Sequence, residues 1–216
     1  MENAVVIKNA DKAYKEKMVL KNININVSEG SILGLRGRNG SGKTILLKSI
    51  LGLIPLTNGE IYVNGKRIGK DVDFAPDTGA MIETPELFKL CTGYNYLYSL
   101  SKIRKKKGKD EIKDVLKRVG LYDDRNKLIG KYSLGMKQRL SFAQAIMENP
   151  KLLILDEPMN GLDKIWVENM RLYLLELKKQ GVTVILTSHY EEDLNNLCDR
   201  IITIENGEII DEEQSN

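Results

Sequence analysis

The spacing of apolar residues changes several times along this chain, and each change predicts an element. Val5 to Ala10 and Ile23 to Val27 alternate apolar and polar positions, as strands with one buried face do. Between them lie Asp11-Lys12-Ala13-Tyr14 and a turn rich in Lys and Glu. Ser31-Ile32-Leu33-Gly34-Leu35 reads as a short buried strand, and Ile45 to Leu51 as a helix. Gly59 to Val63 is again β-rich and runs into Asn64-Gly65, a strong hairpin signal because both residues tolerate positive φ. The spacing then turns helical: Leu97, Leu100 and Ile103, and later Ile112, Val115, Leu116 and Val119, mark amphipathic helices. Lys151 to Asp156 and Val182 to Thr187 are continuous apolar runs, the pattern of parallel strands buried on both faces. The chain closes with a hairpin over Arg200 to Ile210 and a short acidic tail.

Strands and helices thus alternate at both ends, with a mostly helical insertion over about residues 85–148. This predicts an α/β core carrying a helical subdomain, with a small antiparallel sheet at the N-terminus. The expected division is one domain over 1–216, with core and β-subdomain at 1–84 and 149–216 and the helical subdomain at 85–148. Composition changes little: 42% apolar and 29% charged residues suit a chain that buries a real core. A net charge of +3 makes no electrostatic case for nucleic acid. Cys91 and Cys198 are far apart and sit in no C-x-x-C, which predicts reduced packing residues. The N-terminus lacks a signal-peptide pattern, and no apolar run reaches the roughly 18 residues of a membrane span. The expected location is cytoplasmic, with any membrane contact made through a partner. The basic run Lys102 to Lys109 reads as a solvated helix end and loop, with a face toward anionic lipid as the alternative.

Chemistry enters at Gly37-Arg38-Asn39-Gly40-Ser41-Gly42-Lys43-Thr44, which fits G-x-x-x-x-G-K-[ST] at every fixed position. A strand precedes it and a helix follows. In that setting the N–H groups of a glycine-rich turn and a helix N-terminus attract phosphate. Lys43 is expected on the terminal phosphates and Thr44 on Mg²⁺. The apolar strand Leu152 to Leu155 ends in Asp156-Glu157. A carboxylate there can hold Mg²⁺ beside the threonine, leaving Glu157 to polarise an attacking water. The one histidine, His189, follows the other buried strand, at the edge where α/β sheets bind ligands, and is expected to contact the γ-phosphate.

These motifs, in this order, resemble the nucleotide-binding domain of an ATP-binding cassette (ABC) transporter over nearly the whole chain. Tyr14 matches the family's adenine-stacking aromatic. Tyr132-Ser133-Leu134-Gly135-Met136-Lys137-Gln138-Arg139 aligns with the signature, usually Leu-Ser-Gly-Gly-Gln, and Asn160-Gly161-Leu162-Asp163 with the D-loop. The resemblance implies a RecA-like P-loop NTPase core, ATP as substrate, Mg²⁺ as cofactor, and a head-to-tail dimer. In that dimer Ser133 and Gly135 of one subunit contact ATP held by the other. It also implies a separate transmembrane permease at the inner face of the cell membrane. The chain departs from the family in three respects. Leu134 and Met136 replace signature residues, and Glu83 stands where a glutamine is usual and offers an oxygen to metal or water. Arg36 and Arg38, expected as solvated side chains, flank and enter the P-loop. Glu83 together with the Ser133 to Gln138 sequence resembles the ATPases of lantibiotic, bacitracin and related peptide or drug exporters.

Two other classes compete. Soluble ABC ATPases of DNA repair split the cassette with a coiled coil, and those of translation usually carry two cassettes; the single cassette here matches neither. A P-loop GTPase switch would need [NT]-K-x-D, and Asn126-Lys127-Leu128-Ile129 lacks the aspartate.

Overall fold

The computed structural model describes residues 2–83, 87–104 and 108–214, the Arg104 side chain excepted. Thr84, Pro85 and the Lys105 to Lys107 part of the basic run lie outside the described residues. β1 (Asn3–Tyr14) and β2 (Lys17–Ser28) form a long antiparallel hairpin. Asp11 to Tyr14, expected between strands, is itself paired: Lys12 faces Leu20, Ala13 faces Met18 and Tyr14 faces Lys17. Pairing can run that far because Lys15, at φ +54°, and Glu16 suffice to turn the chain. β4 (Asn58–Val63) lies on the other side of β1, and β5 (Lys66–Arg67) on β4.

The second sheet holds β3 (Ile32–Arg36), β6 (Thr78–Met81), β7 (Leu152–Leu155), β8 (Thr183–Thr187), β9 (Arg200–Glu205) and β10 (Glu208–Gln214). Its order is β10-β9-β3-β8-β7-β6, parallel throughout except for β10. The expected acidic tail is therefore strand: Glu212 pairs with Ile202 and Gln214 with Arg200. Arg200 of β9 pairs with it, its Nε 2.8 Å from Glu212.

Among the described residues six helices cover the sheets: α1 (Lys43–Leu51), α2 (Gly93–Arg104), α3 (Lys109–Arg118), α4 (Leu134–Ile146), α5 (Lys164–Lys179) and α6 (Glu191–Leu197). The side-chain alternation of β7 divides the interior into two cores. Leu152 and Ile154 point toward α1 and the first sheet, against residues such as Leu46, Leu47 and Ile25. Leu153 and Leu155 point the other way, into a core shared with Leu97, Leu116, Leu140 and Leu174 of the remaining helices. All four are fully buried, which is why this strand reads as one apolar run. Each such side chain contributes about 1.5–3 kcal/mol by leaving water.

Both cysteines are free, and burial pushes the Cys198 thiol up to about 12, so it packs as an inert apolar group. Among the described residues no helix is long and apolar enough to cross a membrane.

Candidate active site

The P-loop leaves the C-terminal end of β3 and enters α1, and two of its glycines are required by what lies against them. Gly37 has φ +153°, and a Cβ there would sit 2.3 Å from the Ile204 carbonyl oxygen. Gly42, the N-cap of α1 at φ +112°, would bring one to 2.9 Å from the carbonyl oxygen of Val19. No L side chain fits either position, so the loop stays tight, with the Ser41 N–H turned onto the Arg38 carbonyl at 3.1 Å. Lys43 folds back over this turn, its Nζ donating to the carbonyls of Gly37 at 2.6 Å and Arg38 at 3.0 Å. Burial lowers its pKa, against the opposing pull of Glu157 and Asp156. Arg38, Asn39 and Gly40 form the exposed rim. Ser41 is buried, and its Oγ has no hydrogen-bond partner.

Tyr14 ends β1 with 47% of its surface exposed and the Lys12 ammonium 4.9 Å above its ring centre. The returning strand β2 touches the P-loop at Val19, so the hairpin tip stands beside the loop. If adenine stacks on the open face, Tyr14→Ala weakens ATP binding by about 1–3 kcal/mol, the range of base–aromatic stacking. Tyr14→Phe, which keeps the ring, then costs little. Equal losses in calorimetric titration would point to the hydroxyl or to folding instead.

The carboxylates come from the next-but-one strand. Because β8 lies between β3 and β7, with Leu35 level with Thr187 and Leu155 with Leu186, the residues leaving all three strands meet. Asp156 Oδ2 accepts the Thr44 hydroxyl at 2.8 Å, and its Oδ1 accepts the Thr187 hydroxyl at 2.7 Å. Thr187 Oγ1 also accepts the Glu157 N–H at 2.9 Å. Glu157 itself is left-handed, at φ +51°. A non-glycine residue held there costs about 1–3 kcal/mol, offset by the groups that grip it. Gln138 of α4 is one of them, its Nε2 donating to the carbonyls of Glu157 at 3.1 Å and Pro158 at 3.2 Å.

His189 completes the cluster. Its backbone N–H donates to Glu157 Oε2 at 3.3 Å, and its Nε2 lies 3.1 Å from Oε1. Oε1 is shut off from solvent and makes no hydrogen bond of good geometry. Burial raises the pKa of Glu157, with His189 and then Lys43 pulling it back.

Sequence reasoning missed Thr187 and Gln138 as functional residues. Thr187 carried a usable signal: a hydroxyl closing a fully apolar strand must find a buried partner. Gln138 gave none, since only the packing of α4 turns it inward.

The other expected site residues lie around this cluster. Glu83, at φ +58° just after β6, pairs with Lys48 Nζ at 2.6 Å. Lys48 is one turn beyond Thr44 on the same face of α1, and it neutralises the charge that Glu83 adds. Ser133 is the N-cap of α4; its Oγ accepts the Met136 N–H at 3.2 Å. A Cβ on Gly135 would lie 3.1 Å from the Gly161 carbonyl oxygen, so the signature packs on its own D-loop. The P-loop glycines Gly37 and Gly42 instead meet β2, β9 and the turn before β10. Asp163 N-caps α5 by accepting the Trp166 N–H at 3.0 Å. Arg36 corrects the expectation of a solvated side chain. It is half-buried, 2.8 Å from Glu213 of β10 and 3.7 Å from Glu191 of α6, because β10 and α6 close over the end of β3.

The ABC transporter family model matches residues 20–160. The chain is 42% identical over 205 residues to the uncharacterized ABC transporter ATP-binding protein YybJ of Bacillus subtilis (strain 168), covering 95% of this chain and 94% of that protein. It is 38% identical to the bacitracin transport ATP-binding protein BcrA of Enterococcus faecalis, over 98% of this chain and 70% of that one. The lantibiotic transport ATP-binding protein SrtF of Streptococcus pyogenes is 35% identical, over 96% and 90%. Among solved structures, the ATP-binding cassette MJ0796 in a dimeric post-hydrolysis state bound to ADP and Pi superposes with a TM-score of 0.89. That match has 28% identity and covers 98% of this chain and 99% of that one. The chain therefore belongs to the ABC transporter family and is one of its ATP-binding ATPase cassettes.

Proposed function

We propose that this cassette is the ATP-hydrolysing subunit of an exporter of peptide antibiotics or similar drugs. It works as a head-to-tail dimer on a separate permease at the cytoplasmic face of the membrane. The observation that carries the hydrolytic half is the single cluster of Thr44, Asp156, Thr187, Glu157 and His189 beside the P-loop. The export half is supported by the likeness to BcrA and SrtF.

The residues fit Mg²⁺. The Thr44 hydroxyl and Asp156 carboxylate, 2.8 Å apart, are hard oxygen donors. Among the described residues no cluster of three His, Cys, Asp or Glu side chains could hold a metal alone. A site of one or two protein oxygens completed by phosphates and water is how Mg²⁺ binds in nucleotide enzymes. Bound there, the ion would neutralise charge on the terminal phosphates; Glu83 is the further candidate oxygen.

The chain's own groups do the rest. The P-loop N–H groups receive the phosphates, and Lys43 exchanges its carbonyl partners for phosphate oxygens. The Glu157 carboxylate takes a proton from the attacking water; its Oε2 is held by the His189 N–H, and its backbone by Thr187 and Gln138. Ser133 and Gly135, at the N-terminus of α4, serve ATP on the second copy, with Asp163 of the D-loop beside them. The contribution is chiefly positioning and electrostatic.

The test is to purify the tagged cassette from solubilised membranes and to challenge cells with bacitracin or a lantibiotic. A multi-span permease should copurify, and deletion of the pair should lower resistance. Recovery with ribosomes or nucleic acid, or unchanged resistance, overturns the proposal.

A further inference from the structure

Behind His189 lies a polar chain that the hydrolytic cluster does not include. Asp193, in the first turn of α6, is only 1% exposed. Its Oδ1 accepts from Arg171 Nε at 3.0 Å and Nη2 at 2.5 Å, and its Oδ2 accepts the Ser188 hydroxyl at 2.9 Å. Ser188 Oγ in turn accepts the Tyr190 N–H at 3.1 Å. The residues on both sides of His189 are thus tied to one buried carboxylate. That carboxylate is tied to α5, the helix capped by Asp163. Arg171 is steadied by Glu192 at 3.0 Å and Glu168 at 3.5 Å.

Stability alone does not account for this arrangement. A buried ion pair gains little over an apolar pair of similar volume, because both charges must leave water. Leu194 and Leu197 of the same helix are buried apolar residues, so an apolar side chain would suit this interior. What the pair does supply is direction. It sets the backbone at His189, whose N–H and imidazole meet the two oxygens of Glu157 at 3.3 and 3.1 Å. A shift of about 1 Å in such a contact can cost about 10²-fold in rate.

We propose that Arg171, Asp193 and Ser188 are positioning residues for ATP hydrolysis. They hold His189, and through it Glu157, in register with the D-loop helix. The proposal rests on the reading of Glu157 and His189 as the hydrolytic pair.

The test compares Asp193→Leu, Arg171→Leu, their double variant and Ser188→Ala by steady-state phosphate release and calorimetric melting. Each single leucine variant should lower both Tm and kcat. The double variant should regain Tm while kcat stays about 10–10²-fold down with KM for ATP little changed, since nothing here touches the P-loop. A double variant that regains kcat along with Tm would make the pair merely structural and overturn the proposal. Should the leucine variants fail to fold, Ser188→Ala decides, because it leaves the ion pair whole. A several-fold loss of kcat at unchanged Tm supports the relay, and a wild-type rate overturns it. His189→Ala and Glu157→Gln run alongside. If those two hydrolyse normally, the reading of the hydrolytic pair has failed, which is a different result from failure of the relay.

Discussion

Glu157→Gln is expected to bind Mg-ATP and scarcely to hydrolyse it. The substitution keeps the size of the side chain and an oxygen for the His189 N–H, now 3.3 Å from Oε2, but removes charge and basicity. In the proposed site the phosphate and metal contacts fall to Lys43, Thr44 and Asp156, so affinity should survive. Turnover falls by about 10²–10⁴, the worth of a general base. In the proposed dimer, loss of a carboxylate beside the γ-phosphate also relieves repulsion, so the ATP-bound dimer should accumulate. Phosphate release and light scattering with Mg-ATP read the two effects separately. A wild-type rate would dismiss Glu157 as the base; slow turnover by a persistent monomer would undermine the sandwich dimer instead. The pH profile gives an independent check. Burial raises the Glu157 pKa, and only the ionised form can accept a proton, so wild-type turnover falls as pH drops through that raised value. The acid limb therefore lies above the ordinary carboxylate range, and Glu157→Gln lacks it.

Lys43→Ala is expected to lose nucleotide almost entirely. The ammonium now bridges the carbonyls of Gly37 and Arg38, at 2.6 and 3.0 Å, in a position whose burial disfavours its charge. Phosphate oxygens offer that charge better partners than neutral carbonyls do. Two charge-assisted bonds at about 1.5–3 kcal/mol each correspond to about 10²–10⁴ in affinity. Loss of the bridge also frees the loop on its open rim, which adds to the deficit. Titration with ATP measures the loss directly. The melting shift that saturating ATP gives the wild type, about 2.7 kcal/mol at a hundred times Kd, should vanish. ATP affinity within a factor of two of wild type would remove Lys43 from this role.

Much of this protein is legible in its sequence where the determinant is local. Gly37 and Gly42 are demanded by backbone angles no other residue adopts, so the P-loop is visible as spacing. Leu152 to Leu155 is apolar at every position because both faces of β7 are covered, and that alone predicts a parallel core strand. Asp156, Glu157 and His189 are recognisable because each lies within two residues of the end of such a strand. What the local pattern cannot carry is strand order. Only the insertion of β8 between β3 and β7 turns Thr187 into the hydroxyl that orients Asp156 and Glu157. The same holds for Gln138 on the Glu157 carbonyl, Lys48 on Glu83, and Arg171 on Asp193. An acidic tail becomes β10, and Arg36 becomes its anchor, once β9 offers an edge. Hydrophobic period and turn chemistry act over a few residues and determine which elements form. The partners of a buried polar group stand tens of residues away in the chain, and only the packing of those elements brings them within hydrogen-bond reach.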